Sequence, residues 1–247
     1  MVQRLLLAGM LSGLIVAMFG FSYARIYAEP NIERAIALEE ALAHDHKGAE
    51  QGTVSRDAQR NPGLLIGLAA YSAALGGFLA IGLAALHGRV DTRPRLTVWV
   101  LALAGYFALV LVPQIKYPAS PPGVGSAATI GVRTELYFIM VAASVMCMMA
   151  SAWLTYRARR RVRPTAAVLV GVGLFAVLAS LVMMVMPSIS EARYGFPRGL
   201  MFDFRVHAAL LQVILWGGLG LLFGQLAERV VGHDRDQVPA RREIPNA

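Results

Sequence analysis

The chain has a single cysteine, Cys147, so no intrachain disulfide can staple it, and thiol usage does not fix its compartment. Charge is scarce as well. Asp, Glu, Lys and Arg make up 15% of residues, where soluble domains carry about a quarter. No glycine-rich phosphate loop opens a helix, which excludes an ATP-driven motor within this chain. No HExxH pair and no serine–histidine–aspartate arrangement is present, so a soluble hydrolase is excluded too. The missing charge is replaced by long apolar runs. Hydrophobic residues reach 57%, which places the chain among membrane proteins.

A membrane-crossing helix needs about 20 mostly apolar residues. Six segments meet that length: Leu5–Tyr23, Gly63–Leu86, Leu96–Val112, Leu136–Tyr156, Thr165–Met186 and Val206–Leu226. The first is long for a signal-peptide core, and Tyr23-Ala24-Arg25 is a poor cleavage site, so it reads as a retained span. The expected fold class is an all-α integral membrane bundle of about six transmembrane helices. Residues 1–226 form it, and 227–247 form a tail without fixed structure.

The net charge of +8 could suggest nucleic acid. Its placement in short loops between apolar spans argues for membrane topology instead, with no nucleic-acid partner. Arg89, Arg93 and Arg95 fill the second loop, and Arg157, Arg159, Arg160, Arg161 and Arg163 the fourth. Short arginine-dense loops stay in the cytoplasm. Both termini are therefore expected there, with the first, third and fifth loops outside.

Glycine is plentiful within the spans. Gly9 with Gly13, and Gly220 with Gly224, have the small-xxx-small spacing that lets helices approach closely in lipid. The methionines around Met146 and Met183 read as apolar filler more readily than as soft-metal ligands. Trp99 and Trp153 fit interfacial anchoring.

The first outer loop, 25–62, is acidic. From Asn31 to Ala43 it is built of helix formers with Ile32, Ile36 and Leu38 among charges, which predicts a short amphipathic helix capped by Asn31. Beyond it come His44, Asp45 and His46, with Glu40 one turn before His44. Imidazole beside carboxylate suits a divalent first-row metal. A polar linker has the same composition.

The third outer segment, Pro113 to Tyr137, holds Pro113, Pro118, Pro121 and Pro122, then Gly123 and Gly125. Proline removes a backbone donor and fixes φ, so an irregular, stiff segment is expected here. Irregular backbone at membrane depth persists only when buried in protein or lining a wet cavity. Lys116, Tyr117, Arg133 and Glu135 belong to this segment, and Asp203 and Arg205 flank the last span. Arg205, Gln212 and Trp216 are spaced by near-whole helical turns and share one face, with His207 on another. Intramembrane polar groups are functional hypotheses, so these residues are read as the mouth and path of a translocation route. Arg133 and Arg205 would repel a bare cation unless paired, with Glu135 and Asp203 as the expected partners. A weak internal echo relates Val112-Pro113 to Met186-Pro187, each ending a span after a basic hairpin.

Taken together, Glu29-Pro30-Asn31-Ile32-Glu33, Val54-Ser55-Arg56-Asp57-Ala58-Gln59-Arg60, Pro113-Gln114-Ile115-Lys116-Tyr117-Pro118, Pro121-Pro122-Gly123-Val124-Gly125, the Thr129…Arg133…Leu136-Tyr137 continuation and Phe204-Arg205…Gln212…Trp216 resemble the CbtA family, described as a probable cobalt transporter subunit. The resemblance spans nearly the whole chain. It implies Co2+ uptake across a bacterial inner membrane in connection with cobalamin metabolism, Co2+ as substrate rather than as a bound cofactor, and a small CbtB-like membrane partner with a histidine-rich end. A membrane enzyme is a third reading, which lacks any recognisable catalytic set, so no enzymatic activity is expected. The family is described with five spans, against the six counted here. A non-transporting membrane scaffold for a metal-uptake or cobalamin-pathway complex is the alternative, and a homo-oligomer is left open.

Overall fold

The computed structural model describes residues 1–43, 55–90, 92–122, 124–125, 129–189 and 196–237. Of the described residues 87% are helical, and no strand occurs among them. Six helices are long and apolar enough to cross a membrane: α1 (Val2–Ala41), α2 (Arg56–Leu86), α3 (Pro94–Lys116), α4 (Ile130–Ala158), α5 (Pro164–Val185) and α6 (Arg198–Gly232). This is the expected all-α membrane bundle, and each predicted span lies within one of these helices or overruns it by a single residue.

The helices are longer than their apolar cores. The helix expected from 31 to 43 exists, but it continues α1 instead of standing apart in the loop. Asn31 is therefore not a cap. It lies inside the helix, and its Nδ2 donates to the Tyr27 carbonyl. Pro30 does not break the chain, because the turn before it, Ala24–Ala28, is widened to a π-helix. A proline ring collides with the carbonyl four residues earlier in a regular α-helix, and a wider turn moves that carbonyl aside. The device recurs. Pro62 lies within the π-helical Gln59–Gly63, and Pro113 follows the π-helical Tyr106–Leu111. Pro113 is thus helical and buried, and the irregular segment begins only at Tyr117. The last helix likewise runs on to Gln237, so the tail expected from 227 starts as helix.

The chain divides into two compact units. The first contains α2, most of α1, α3 up to Leu103 and α6 from His207. Its tightest packing is the α1–α2 crossing. A Cβ on Gly9 would strike the Gly76 carbonyl, and one on Gly13 the Ser72 carbonyl. In lipid, where no hydrophobic force separates helix from solvent, such backbone contact supplies the dispersion that holds helices together. Gly220 receives the Trp99 ring, so Trp99 packs within this unit instead of only marking the interface.

The second unit contains α4, α5, α3 from Ala104, α6 up to Val206 and the short stretch Ala35–Glu39. Val112, Met140 and Ala179 are buried together, with Phe175, Met183 and Met186 against them. Met146, Met149 and Met184 face outward instead. At the far end of α4, Arg157 lies over Trp153 and Arg160 over Tyr156, at 5.3 and 5.5 Å. Aromatic rings bearing cations suit the headgroup level that Trp153 was expected to occupy.

Candidate functional site

His44, Asp45 and His46 lie outside the described residues. Glu40 is exposed near the end of α1. No group of three metal-ligating side chains occurs among the described residues.

In the first unit, polar side chains meet between apolar helices. Gln212 accepts a hydrogen bond from Tyr71 Oη of α2 at 3.3 Å. His207 is nearer than expected to useful chemistry: its Nδ1 is 2.7 Å from Tyr23 Oη of α1. Tyr27 lies nearly parallel to the imidazole, with ring centroids 6.5 Å apart. The widened turn Ala24–Ala28 follows Tyr23 and contains Tyr27, and both rings contact the same histidine. Trp216 is buried, and its indole N–H has no partner among the described residues; nor does the hydroxyl of Ser72, which is fully buried. Unpaired polar groups are expensive in a core and in lipid.

Tyr23, Tyr71 and His207 escaped the sequence reading. Tyrosines in spans pass for interfacial anchors, and helical phase places His207 away from Gln212. The cost of a histidine within an apolar helix was the available signal.

Above these, on the same unit, Glu29 is buried and ion-paired with Arg56, Arg60 Nη1 donates to Glu33 at 2.8 Å, and Arg60 also pairs with Asp57. Arg25 Nε donates to Asn61 Oδ1 at 3.1 Å. These bonds clamp the extensions of α1 and α2 together.

In the second unit, α3 ends as α4 and α6 begin around a cleft of about 560 Å³. Tyr117, Arg133 and Arg205, all expected at a mouth, line it together with Ser120, Thr134 and Tyr137. Tyr117 Oη donates to the Pro187 carbonyl at 2.7 Å, and Lys116 Nζ to Ser188 Oγ at 3.0 Å. Burial pushes the Tyr117 phenol above its usual range, so it remains a neutral donor. The expected pair of Arg205 with Asp203 does not form. Arg205 Nε donates instead to the Ala119 carbonyl at 3.2 Å, while Asp203 and Glu135 are exposed and absent from the cleft lining. The reason is helical phase: residues two apart on one helix point to different faces.

A family model for CbtA, a probable cobalt transporter subunit, matches residues 2–228 of the chain. No curated protein and no solved structure matches it.

Proposed function

Because the chain belongs to the CbtA family of probable cobalt transporter subunits, we propose that it supplies the Co2+ path through the inner membrane, in complex with a small CbtB-like partner. The observation that carries this reading is two polar pairs of the first unit, His207 with Tyr23 and Gln212 with Tyr71, each joining α6 to another membrane-spanning helix. Neutral imidazole nitrogen with amide and phenol oxygens suits a divalent first-row cation. When the Nδ1 proton is donated to Tyr23, Nε2 presents a lone pair, the arrangement in which metal-bound imidazoles are usually held. Weak neutral ligands also favour release, which a transport path needs.

In this reading the acidic first loop, with Glu40, His44, Asp45 and His46, collects the metal on the outer side. In this reading both termini face the cytoplasm: six spans put them on one side, and the arginine-dense second and fourth loops make that side the inner one. The chain acts as a carrier subunit and not as an enzyme.

The test is accumulation of radioactive cobalt in cells expressing His207→Leu or Gln212→Leu beside the small partner. Both variants are expected in the membrane at normal amounts with cobalt uptake mostly lost. Normal uptake in both would reject the two pairs as the path. Flux into vesicles holding only the purified chain would separate a path from a scaffold.

A further inference from the structure

Arginine crowds the turn from α4 into α5. Arg157, Arg159, Arg160, Arg161 and Arg163 all lie there, and all five are exposed. The only acid on either helix, Glu135, sits near the opposite end of α4, about 33 Å from Arg157 along the axis. None of the five is ion-paired among the described residues. We propose that this turn is a binding site for the phosphate headgroup of an anionic phospholipid.

Depth is the first argument. α4 has 29 residues and is about 43 Å long, which matches a bilayer together with its headgroup layers. α5 has 22 residues and is about 33 Å long, close to the hydrocarbon core alone. The turn that joins them therefore lies among headgroups. Trp153 and Tyr156 mark the same depth, and both rings are exposed. Arg157 lies over the first at 5.3 Å and Arg160 over the second at 5.5 Å. Arg160 Nη2 also donates to Tyr156 Oη at 3.4 Å. The rings are neutral, so they hold these guanidinium groups in place without cancelling their charge. A stacked guanidinium keeps its N–H edge for a forked contact with phosphate oxygens.

The helix termini add a second argument. Arg157 is in the last turn of α4, where the macrodipole favours a cation. Arg161 and Arg163 are not explained this way. They precede the first turn of α5, which has no acidic residue and no side-chain cap, so its positive end faces like charge. A phosphate relieves both. Loop charge sets membrane topology, but topology does not require cations stacked on exposed rings. A soluble acidic peptide would answer the charge and leave that stacking unused, so the lipid is favoured.

The test uses the purified full chain without added metal, so its result is separate from the transport reading. Native mass spectrometry measures retention of phosphatidylglycerol over phosphatidylcholine, with matched acyl chains, from equimolar nanodiscs. Wild type is expected to retain phosphatidylglycerol selectively. Replacing Arg160→Gln and Arg161→Gln together should lower that preference at least about fivefold, the scale for one cation at a membrane surface. Arg34→Gln, on the extension of α1, should leave it unchanged. A second readout needs no variant, because trypsin cleaves after arginine. Cleavage after Arg157, Arg159, Arg160 and Arg161, relative to cleavage after Arg34, should be slower in phosphatidylglycerol nanodiscs than in phosphatidylcholine. Equal cleavage in the two lipids overturns the proposal. So does an unchanged lipid preference in the folded double variant, or no preference in wild type. Binding of a soluble polyglutamate peptide without any preference for phosphatidylglycerol overturns it in favour of an acidic protein partner.

Discussion

Tyr117 and Pro187 are 70 residues apart, and a 2.7 Å hydrogen bond joins them. One closes α3 and the other follows α5. The bond ties the end of α3 to the start of the connection after α5, while Pro113, the counterpart of Pro187 in the sequence echo, lies helical within α3. The bond from Lys116 to Ser188 repeats the contact one residue along. Stiff corners tied this way give the second unit a fixed rim, and the cleft opens beside it.

Replacing Tyr117 by Phe removes the donor and keeps the ring. A loss of about 1 kcal/mol is expected, the usual net worth of such a bond. Thermal unfolding of the purified protein in detergent measures it.

The same residue predicts a pH effect. Burial raises the phenol pKa in the fold, so the unfolded chain releases its proton first. The stabilisation is complete below the ordinary phenol value of 10.0 and is lost as pH rises through the higher folded value. Wild type should lose stability in that alkaline range more steeply than Tyr117→Phe.

The α1–α2 crossing should tolerate no side chain. Gly76→Ala puts a methyl into the Gly9 backbone, and a cost of about 1–3 kcal/mol is expected for such overpacking. Gly67→Ala, with nothing near its Cβ, should be neutral or stabilising. Equal melting temperatures for the two variants would contradict the packing described.

Glu29 is buried and Arg56 is about a third exposed. Glu29→Ala leaves Arg56 unpaired, and a loss of about 2 kcal/mol is expected once solvent access to the arginine is allowed for. A double-mutant cycle with Arg56→Ala should recover part of that loss.

Double replacement of His44 and His46 by Ala should reduce cobalt accumulation at low external metal, with the protein still present in the membrane. Uptake identical to wild type across metal concentrations would remove the loop from the pathway.

The six helices were legible because uncharged runs of membrane length have few alternative fates. Gln212 stood out for a related reason: an amide in such a run must find a partner. Other features were not. Pro113 argued for a break, yet the π-helical turn before it absorbs it, as similar turns accommodate Pro30 and Pro62, since the clash depends on carbonyl position and not on proline alone. Arg205 was expected to find Asp203, but side chains two apart on a helix diverge. The role of His207 was not legible because its partner, Tyr23, lies on another helix 184 residues away.

By itself the sequence determined that this chain lives in a bilayer as helices, because backbone groups in lipid must be satisfied within their own segment. It also determined which family the chain resembles, through local motifs. Only the tertiary structure decided which polar groups meet, bringing His207 to Tyr23, Gln212 to Tyr71 and Arg205 to Ala119. Those pairings depend on helix rotation and on close glycine crossings, and neither is written in the hydropathy of any one span.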